Sequence, residues 1–512
     1  MTRTRKFLGG LVFGYANQVL ITLVGLWFTA FLLGRLGQVD YGLWLVATQI
    51  LSYLMLMDLG VVALLPRETA FATGRVGGVE HARDLSEIVG QTMRVVLWQM
   101  PLVAAVAVVI LLALPEKWAE LQGPLVVVLG AFVLTFPVRI FQSALEGLQD
   151  LAFLGAAHTV SWFVTTGLTV ALVFAGLGLY SLAVGWVAGQ STLAVIWAVR
   201  LRRRFPTAWP RSIPSMSWRK IRERFVRSTW ISLAQVAQVL LRGTDMLVIG
   251  AVLGPASVVP YFCTAKLITV FSNQPQMLAQ NAQPALSELR ASDQRDRLFD
   301  VCSALTIAIF LLTGAIACLV LVVNQGFVDW WVGDEQYGGT MLTLVLILGM
   351  LLRQWNTATV YAIFAFGHDR RLSLTTMIDG AVTAGLSLLL VWKMDILGAA
   401  VASVIGVSLV SLPWNLAALG RETGAGIGGL AMRLWPSFWR FGLLAALSAT
   451  VSQVWLPNTL ATLILASLGV GTVYVLVMFP LALRPPLGIY VLPRLESIRN
   501  RLPSYRRVGS EQ

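Results

Sequence analysis

Three cysteines and three histidines are all that 512 residues contain, and charged side chains make up only 12% of the chain. Cys263, Cys302 and Cys318 all fall in apolar segments, which excludes a disulfide framework and a thiolate metal site. The scattered histidines add no metal-ligand spacing, so no cofactor or metal is expected. No nucleotide-binding motif is present, which argues against direct drive by ATP. What fills the space is hydrophobic: 57% of the residues, against about 45–50% in a soluble domain that also carries about 25% charge. Such a chain is expected to be an integral membrane protein.

Apolar segments of about 20 residues, the length that crosses a hydrocarbon core, occur near 11–33, 41–64, 88–112, 124–146, 152–174, 179–199, 229–251, 258–280, 300–323, 340–364, 372–392, 396–418, 438–456 and 460–483. They predict an all-α polytopic protein with 14 transmembrane helices. A barrel strand would need only about 9–11 residues. The first segment follows Arg3, Arg5 and Lys6 and runs to Leu33 without a small-residue cleavage site. It is expected to be a retained span, because a cleaved signal has an apolar region of about 7–15 residues. Loops on one side hold Arg35, Lys117 and Lys393, while the great majority of the 38 basic residues collect on the other. The positive-inside rule then places both termini in the cytoplasm. Ten basic residues and one acid, Glu223, lie between Arg200 and Arg227, where they are expected to anchor topology against anionic headgroups. The net charge of +13 is explained by topology, and no nucleic-acid partner is implied.

The basic segment also divides the chain into comparable halves. Leu36-Gly37 answers Leu253-Gly254 at an offset of 217, and Pro66 answers Pro284 at 218. Gly147 answers Gly367, and Gly178 answers Gly398, both at 220. An even number of spans separates the copies, so the repeat is parallel, a layout with its site at the repeat interface. The expected domains are a six-helix lobe over 1–204, a basic linker over 205–226, a second six-helix lobe over 227–422, and two extra helices with a basic tail over 423–512.

Arg35-Leu-Gly-Gln-Val-Asp-Tyr-Gly42, Asp58-Leu-Gly60, Arg67-Glu-Thr-Ala70 and Leu145-Glu-Gly-Leu-Gln149, in this order, resemble the N-terminal pattern of bacterial polysaccharide-biosynthesis (Wzx-type) flippases. These belong to the multidrug/oligosaccharidyl-lipid/polysaccharide (MOP) exporter superfamily. The resemblance implies two six-helix lobes around a cavity that opens alternately to either face. It also implies a lipid-linked oligosaccharide of the undecaprenyl-diphosphate type as cargo, an inner-membrane location for polysaccharide or O-antigen export, and partnership with a polysaccharide polymerase or other export machinery.

Charges inside the spans offer an independent test of that cargo. A lysine or arginine at a helix centre costs about 2.5–3.5 kcal/mol on insertion scales, so such residues normally face a wet cavity or a partner. Arg353, Arg242, Arg139 and Lys266 are the candidate cations, and guanidinium groups can hold phosphate oxygens bidentately. Asn17, Gln235, Trp355 and Asn356 could add hydrogen bonds and a stacking face along a sugar path. Equally, such amides serve as interhelical glue. Arg242 could instead pair with Asp245 three residues on, and Lys266 could snorkel outward. Asp245 and Asp58 are the acids considered for ion coupling, although Asp58 could cap a helix end or pair with Arg67. A lipid II flippase is the alternative reading. A multidrug exporter of the same superfamily is a weaker one, since its pocket would be lined by acids. An enzyme would need a catalytic constellation, and the longest outer loop, near Asn324 to Gly339, offers only Asp329, Asp334 and Glu335.

Overall fold

The computed structural model describes residues 3–75, 84–214, 217–291, 295–424 and 427–501. Among the described residues nearly every position is helical and there is no strand. Hydrocarbon offers no partner for a backbone N–H or C=O, and a helix satisfies both within its own segment. Among the described residues ten helices are long and apolar enough to cross a membrane, or eleven if the pair 232–241 and 243–252, bent by 51°, is one span. The expected segments at 258–280 and 438–456 lie in helices Val258–Ala291 and Ile427–Val454, outside that set. The segment at 11–33 and the first part of 41–64 run through one stretch, Arg3–Leu54, interrupted at Gly37 (φ 84, ψ 173); the second segment then continues through Met55–Asp58 into helix Val61–Arg75. Many large apolar side chains face outward, including Leu112, Leu134, Trp392 and Val454. The chain is a multi-pass membrane protein.

Gly37 and Gly254 (φ 106, ψ 161) adopt nearly the same backbone, in a region open essentially to glycine alone. Two further left-handed turns recur, but not at the glycines that the sequence pairs. Gln149 (φ 60) is matched by Gly367 (φ 82) at an offset of 218, and Gly178 (φ 54) by Asp395 (φ 59) at 217. The spacing of the turns is therefore nearly constant, whereas the glycine pairing drifts to 220. Gln149 and Asp395 hide this because amide and carboxylate residues can enter the left-handed region without being glycine.

The chain forms two compact units. The first comprises 1–262 and 376–399, the second 263–375 and 400–512. In the first, helices Leu151–Phe174 and Leu179–Arg204 approach through small residues. A Cβ on Gly185 would strike the hydroxyl of Thr169, and one on Gly189 that of Thr165, while Ser161 donates to the Gly189 carbonyl at 2.9 Å. Small residues and hydroxyls are what let helices approach closely in lipid. Gly147 likewise lies on the backbone of Pro66 and against Thr69, so two of the sequence motifs meet in one contact. Gln38 donates to the carbonyl of Ala256 at 3.0 Å, joining the two equivalent glycine turns.

In the second unit, helix Arg295–Val332 is the centre against which Thr340–Ala365, Ile427–Val454 and Leu460–Ala482 pack. Tyr474 donates to the Leu311 carbonyl at 2.8 Å, and Gly326 meets the backbone of Pro457. Helices Ile427–Val454 and Leu460–Ala482 thus both pack into this unit.

Candidate functional site

Arg353 lies midway along helix Thr340–Ala365. Its Nε donates to Ser403 Oγ at 3.0 Å, and a terminal nitrogen to the Ser403 carbonyl at 3.2 Å. Ser403 sits in helix Ile396–Gly406, one turn before a π-helical segment, Val407–Ser411. Such a segment widens the ladder by one residue and is frequent at functional sites. A fork of donors reading both the hydroxyl and the carbonyl of one residue holds that helix beside the widened turn. Around it the helix carries a polar stripe. Gln354 donates to the Ser272 carbonyl at 2.9 Å, Asn415 to Asn356 at 2.8 Å, and Gln280 to the Tyr361 hydroxyl at 2.7 Å. Asn356 is thus engaged between helices. Trp355 packs on Phe438 with centroids 5.8 Å apart, and its buried Nε1 finds no hydrogen-bond partner. Lys266 is partly buried in helix Val258–Ala291. Arg353, Lys266, Trp355 and Asn356 all belong to the second unit.

Arg139 and Gln235 belong to the first. Arg139 pairs with Asp58 at 3.5 Å and donates to the Met55 carbonyl at 3.3 Å. Asp58 is 1% exposed. Its other oxygen accepts from Gly60 N at 2.9 Å, and its carbonyl accepts from Gln99 at 3.1 Å. Those bonds fix the turn through left-handed Leu59 and Gly60. The partner is therefore Arg139 and not Arg67, whose guanidinium lies over Phe71. Arg139 also lines a cavity of about 220 Å³ with Gln142, His158, Gln190 and Trp197. A larger cavity, about 300 Å³ between helices Arg295–Val332, Ile427–Val454 and Leu460–Ala482, is almost wholly apolar and holds none of the candidate residues. Removing Asp58 leaves the Arg139 charge among helices. Asp58→Ala is expected to cost more than about 2 kcal/mol, and Asp58→Asn less, because its amide oxygen still accepts from Gly60. Thermal melts of the purified variants check the order.

Asp245 accepts from Tyr261 at 2.8 Å. Gln235 is partly buried, with its carbonyl oxygen enclosed and unpartnered. The side chains of Arg242 and Asn17 lie outside the described residues. One intramembrane acid escaped the sequence census. Asp379, in helix Asp369–Met394, is fully buried and accepts from Thr383 at 3.1 Å. The signal was available, an acid inside the apolar segment 372–392. Among the described residues no group of three or more acids, histidines or cysteines could hold a metal.

The family model described as a polysaccharide biosynthesis protein matches residues 93–337. Among solved structures the fold is similar to the lipid II flippase MurJ in an inward closed conformation, with a TM-score of 0.66 at 10% identity. That match covers 92% of this chain and 100% of the other. A multidrug resistance transporter of the MATE family of the MOP superfamily, in an inward-facing conformation, matches with a TM-score of 0.56 at 12% identity, over 79% of this chain and 95% of the other. No curated protein matches the sequence. At such low identity these structures speak for the fold alone, and of the motifs quoted from the first half only Leu145–Gln149 lies within the polysaccharide-biosynthesis match.

Proposed function

We propose that this MOP-superfamily protein is a flippase that moves a polyprenyl-diphosphate-linked oligosaccharide repeat unit across the cytoplasmic membrane for polysaccharide or O-antigen export. It works by alternating access and is not an enzyme. The observation that carries this reading is a guanidinium, Arg353, midway along an apolar helix beside a π-helical turn, in a chain that matches a polysaccharide-biosynthesis family. An arginine kept at that depth is expensive, and its fork of donors suits pyrophosphate oxygens. Fourteen spans in a 6 + 6 + 2 plan, with both termini cytoplasmic, complete the reading. The left-handed turns that recur at a nearly constant spacing support the duplication.

In this scheme Arg353, Arg242, Arg139 and Lys266 contact the diphosphate, and Asn17, Gln235, Trp355 and Asn356 border the sugar path. Asp245 and Asp58 remain the coupling acids to test, with Asp379 added because it too is buried in a span. The cargo comes from the cytoplasmic leaflet, and a polymerase or other export protein receives it.

The MurJ-like fold favours one second reading, lipid II as cargo. Vesicles reconstituted with the purified protein separate the two. One set carries an undecaprenyl-diphosphate oligosaccharide in the inner leaflet, another lipid II, and outward movement is scored with a membrane-impermeant glycosidase or lectin. The oligosaccharide lipid is expected to cross at least about tenfold faster, a preference of about 1.4 kcal/mol. Faster lipid II movement would favour the second reading, and movement of neither would reject both.

A further inference from the structure

Each half of the chain turns one hairpin in the same way and then ties it across to a later helix. In the first, Gln149 is left-handed, and the next residue, Asp150, accepts from Arg200 on helix Leu179–Arg204 at 2.7 and 3.2 Å. In the second, Gly367 is left-handed, and the next residue, His368, meets Glu422 on helix Leu412–Thr423, with Nε2 and Oε1 2.7 Å apart. Asp150 and His368 are separated by the same offset as the two turns themselves. The hairpin member recurs at that offset, while on the helix Glu422 stands 222 residues after Arg200, one turn further along, and the charges are exchanged. The first copy has an acid on the hairpin and an arginine on the helix; the second has an imidazole on the hairpin and a carboxylate on the helix. Arg290, in the last turn of helix Val258–Ala291, adds a 2.9 Å pair to the other oxygen of Glu422. At that offset the position equivalent to Arg290 is Ala72, so this third member has no counterpart.

We infer that the His368–Glu422–Arg290 cluster is a pH-responsive clasp. It binds the second hairpin more tightly to its neighbouring helix ends as the solution acidifies, while the Asp150–Arg200 contact does the same for the first hairpin regardless of pH. Histidine is the side chain whose charge changes between pH 5 and 8, whereas an arginine stays charged throughout. Neutral His368 can still donate one hydrogen bond to Glu422; the imidazolium adds charge attraction to it. Its side chain is 41% exposed and that of Glu422 19%, so protons have access. The charged neighbours are Arg290, already on Glu422; Asp369, Arg370 and Arg371, which follow in sequence, Arg371 donating to the Trp414 carbonyl; Arg421 beside Glu422; and Glu288 two residues before Arg290. Arg370 and Arg421 are exposed and screened by salt, so the direct carboxylate contact dominates at the ring.

Hydrogen–deuterium exchange of the full chain in lipid nanodiscs, at pH 6.0 and 8.0, tests this without reference to any cargo. After correction for intrinsic exchange, amides around 366–372 are expected to lose protection about two- to fivefold at the higher pH, the size of a partly exposed ion pair. Those around 148–154 should not change. His368→Arg is expected to make the second hairpin as indifferent to pH as the first, and Glu422→Gln to remove the dependence by loosening it at both pH values. An unaltered pH response in His368→Arg, or an equal response at the Asp150 hairpin, would overturn the clasp. Transport failure in the vesicle assay leaves this measurement untouched.

Discussion

Arg353→Ala is expected to abolish surface polysaccharide in a complementation test while the protein still accumulates in the membrane. The guanidinium is asked to bind the cargo's phosphate, and a charge-assisted hydrogen bond is worth about 1.5–3 kcal/mol. Loss of one such bond slows a step about ten- to a hundredfold, and loss of a bidentate pair slows it more. Arg353→Lys keeps the charge but not the fork, so an intermediate defect is expected. The competing account is that Arg353 only braces the helix at Ser403 beside the π-helical turn. Ser403→Ala separates the two. It removes one of the two bonds to Ser403 while leaving the guanidinium that would meet phosphate in place, so export should fall far less than in Arg353→Ala. If Ser403→Ala is as damaging as Arg353→Ala, or if Arg353→Ala lowers protein abundance as much as export, the arginine is a brace and not a contact for cargo.

Hydropathy made the helical, membrane-spanning character legible because lipid imposes one secondary structure on any long apolar run, although ten or eleven membrane-capable helices stand among the described residues where fourteen were expected. Gly37 and Gly254 were legible for a related reason, since their backbone admits glycine almost alone. Gln149 and Asp395 show where that signal stops. They turn the chain as a glycine would, yet nothing in their identity announces it, and the repeat consequently read slightly out of register. Arg139 and Asp58 are 81 positions apart, and hydropathy holds no information about which acid meets which base. The π-helical segment near Ser403 is equally silent, because it is a response to packing rather than to local propensity. Asp379 belongs to a different class. An acid in an apolar segment is visible in sequence, and only its complete burial shows how costly it would be to leave uncompensated.

The largest stability effects are expected at two glycines, and they should differ in whether they can be rescued. A Cβ on Gly185 would strike the hydroxyl of Thr169, with the nearest backbone atom, the Thr165 carbonyl oxygen, at 3.1 Å. A Cβ on Gly147 would strike the Thr69 hydroxyl as well, but it would also come within 2.6 Å of the Pro66 carbonyl oxygen and 2.9 Å of its Cα. Overpacking a well-filled contact costs about 1–3 kcal/mol, and more where backbone must move. Gly185→Ala should therefore reduce the thermal midpoint of the purified protein and regain most of it when combined with Thr169→Ala, because the obstacle is a side chain. Gly147→Ala should cost more and gain little from Thr69→Ala, because Pro66 cannot be trimmed. Gly147 and Pro66 lie in or beside two of the motifs that carry the family resemblance, and this contact gives their co-occurrence a physical cause: helices Val61–Arg75 and Arg139–Gly147 can meet only where one has no side chain. Equal rescue at both sites would show that the helices slide apart freely. The Asp58–Arg139 pair that spans the same corner would then have no fixed partner geometry to preserve.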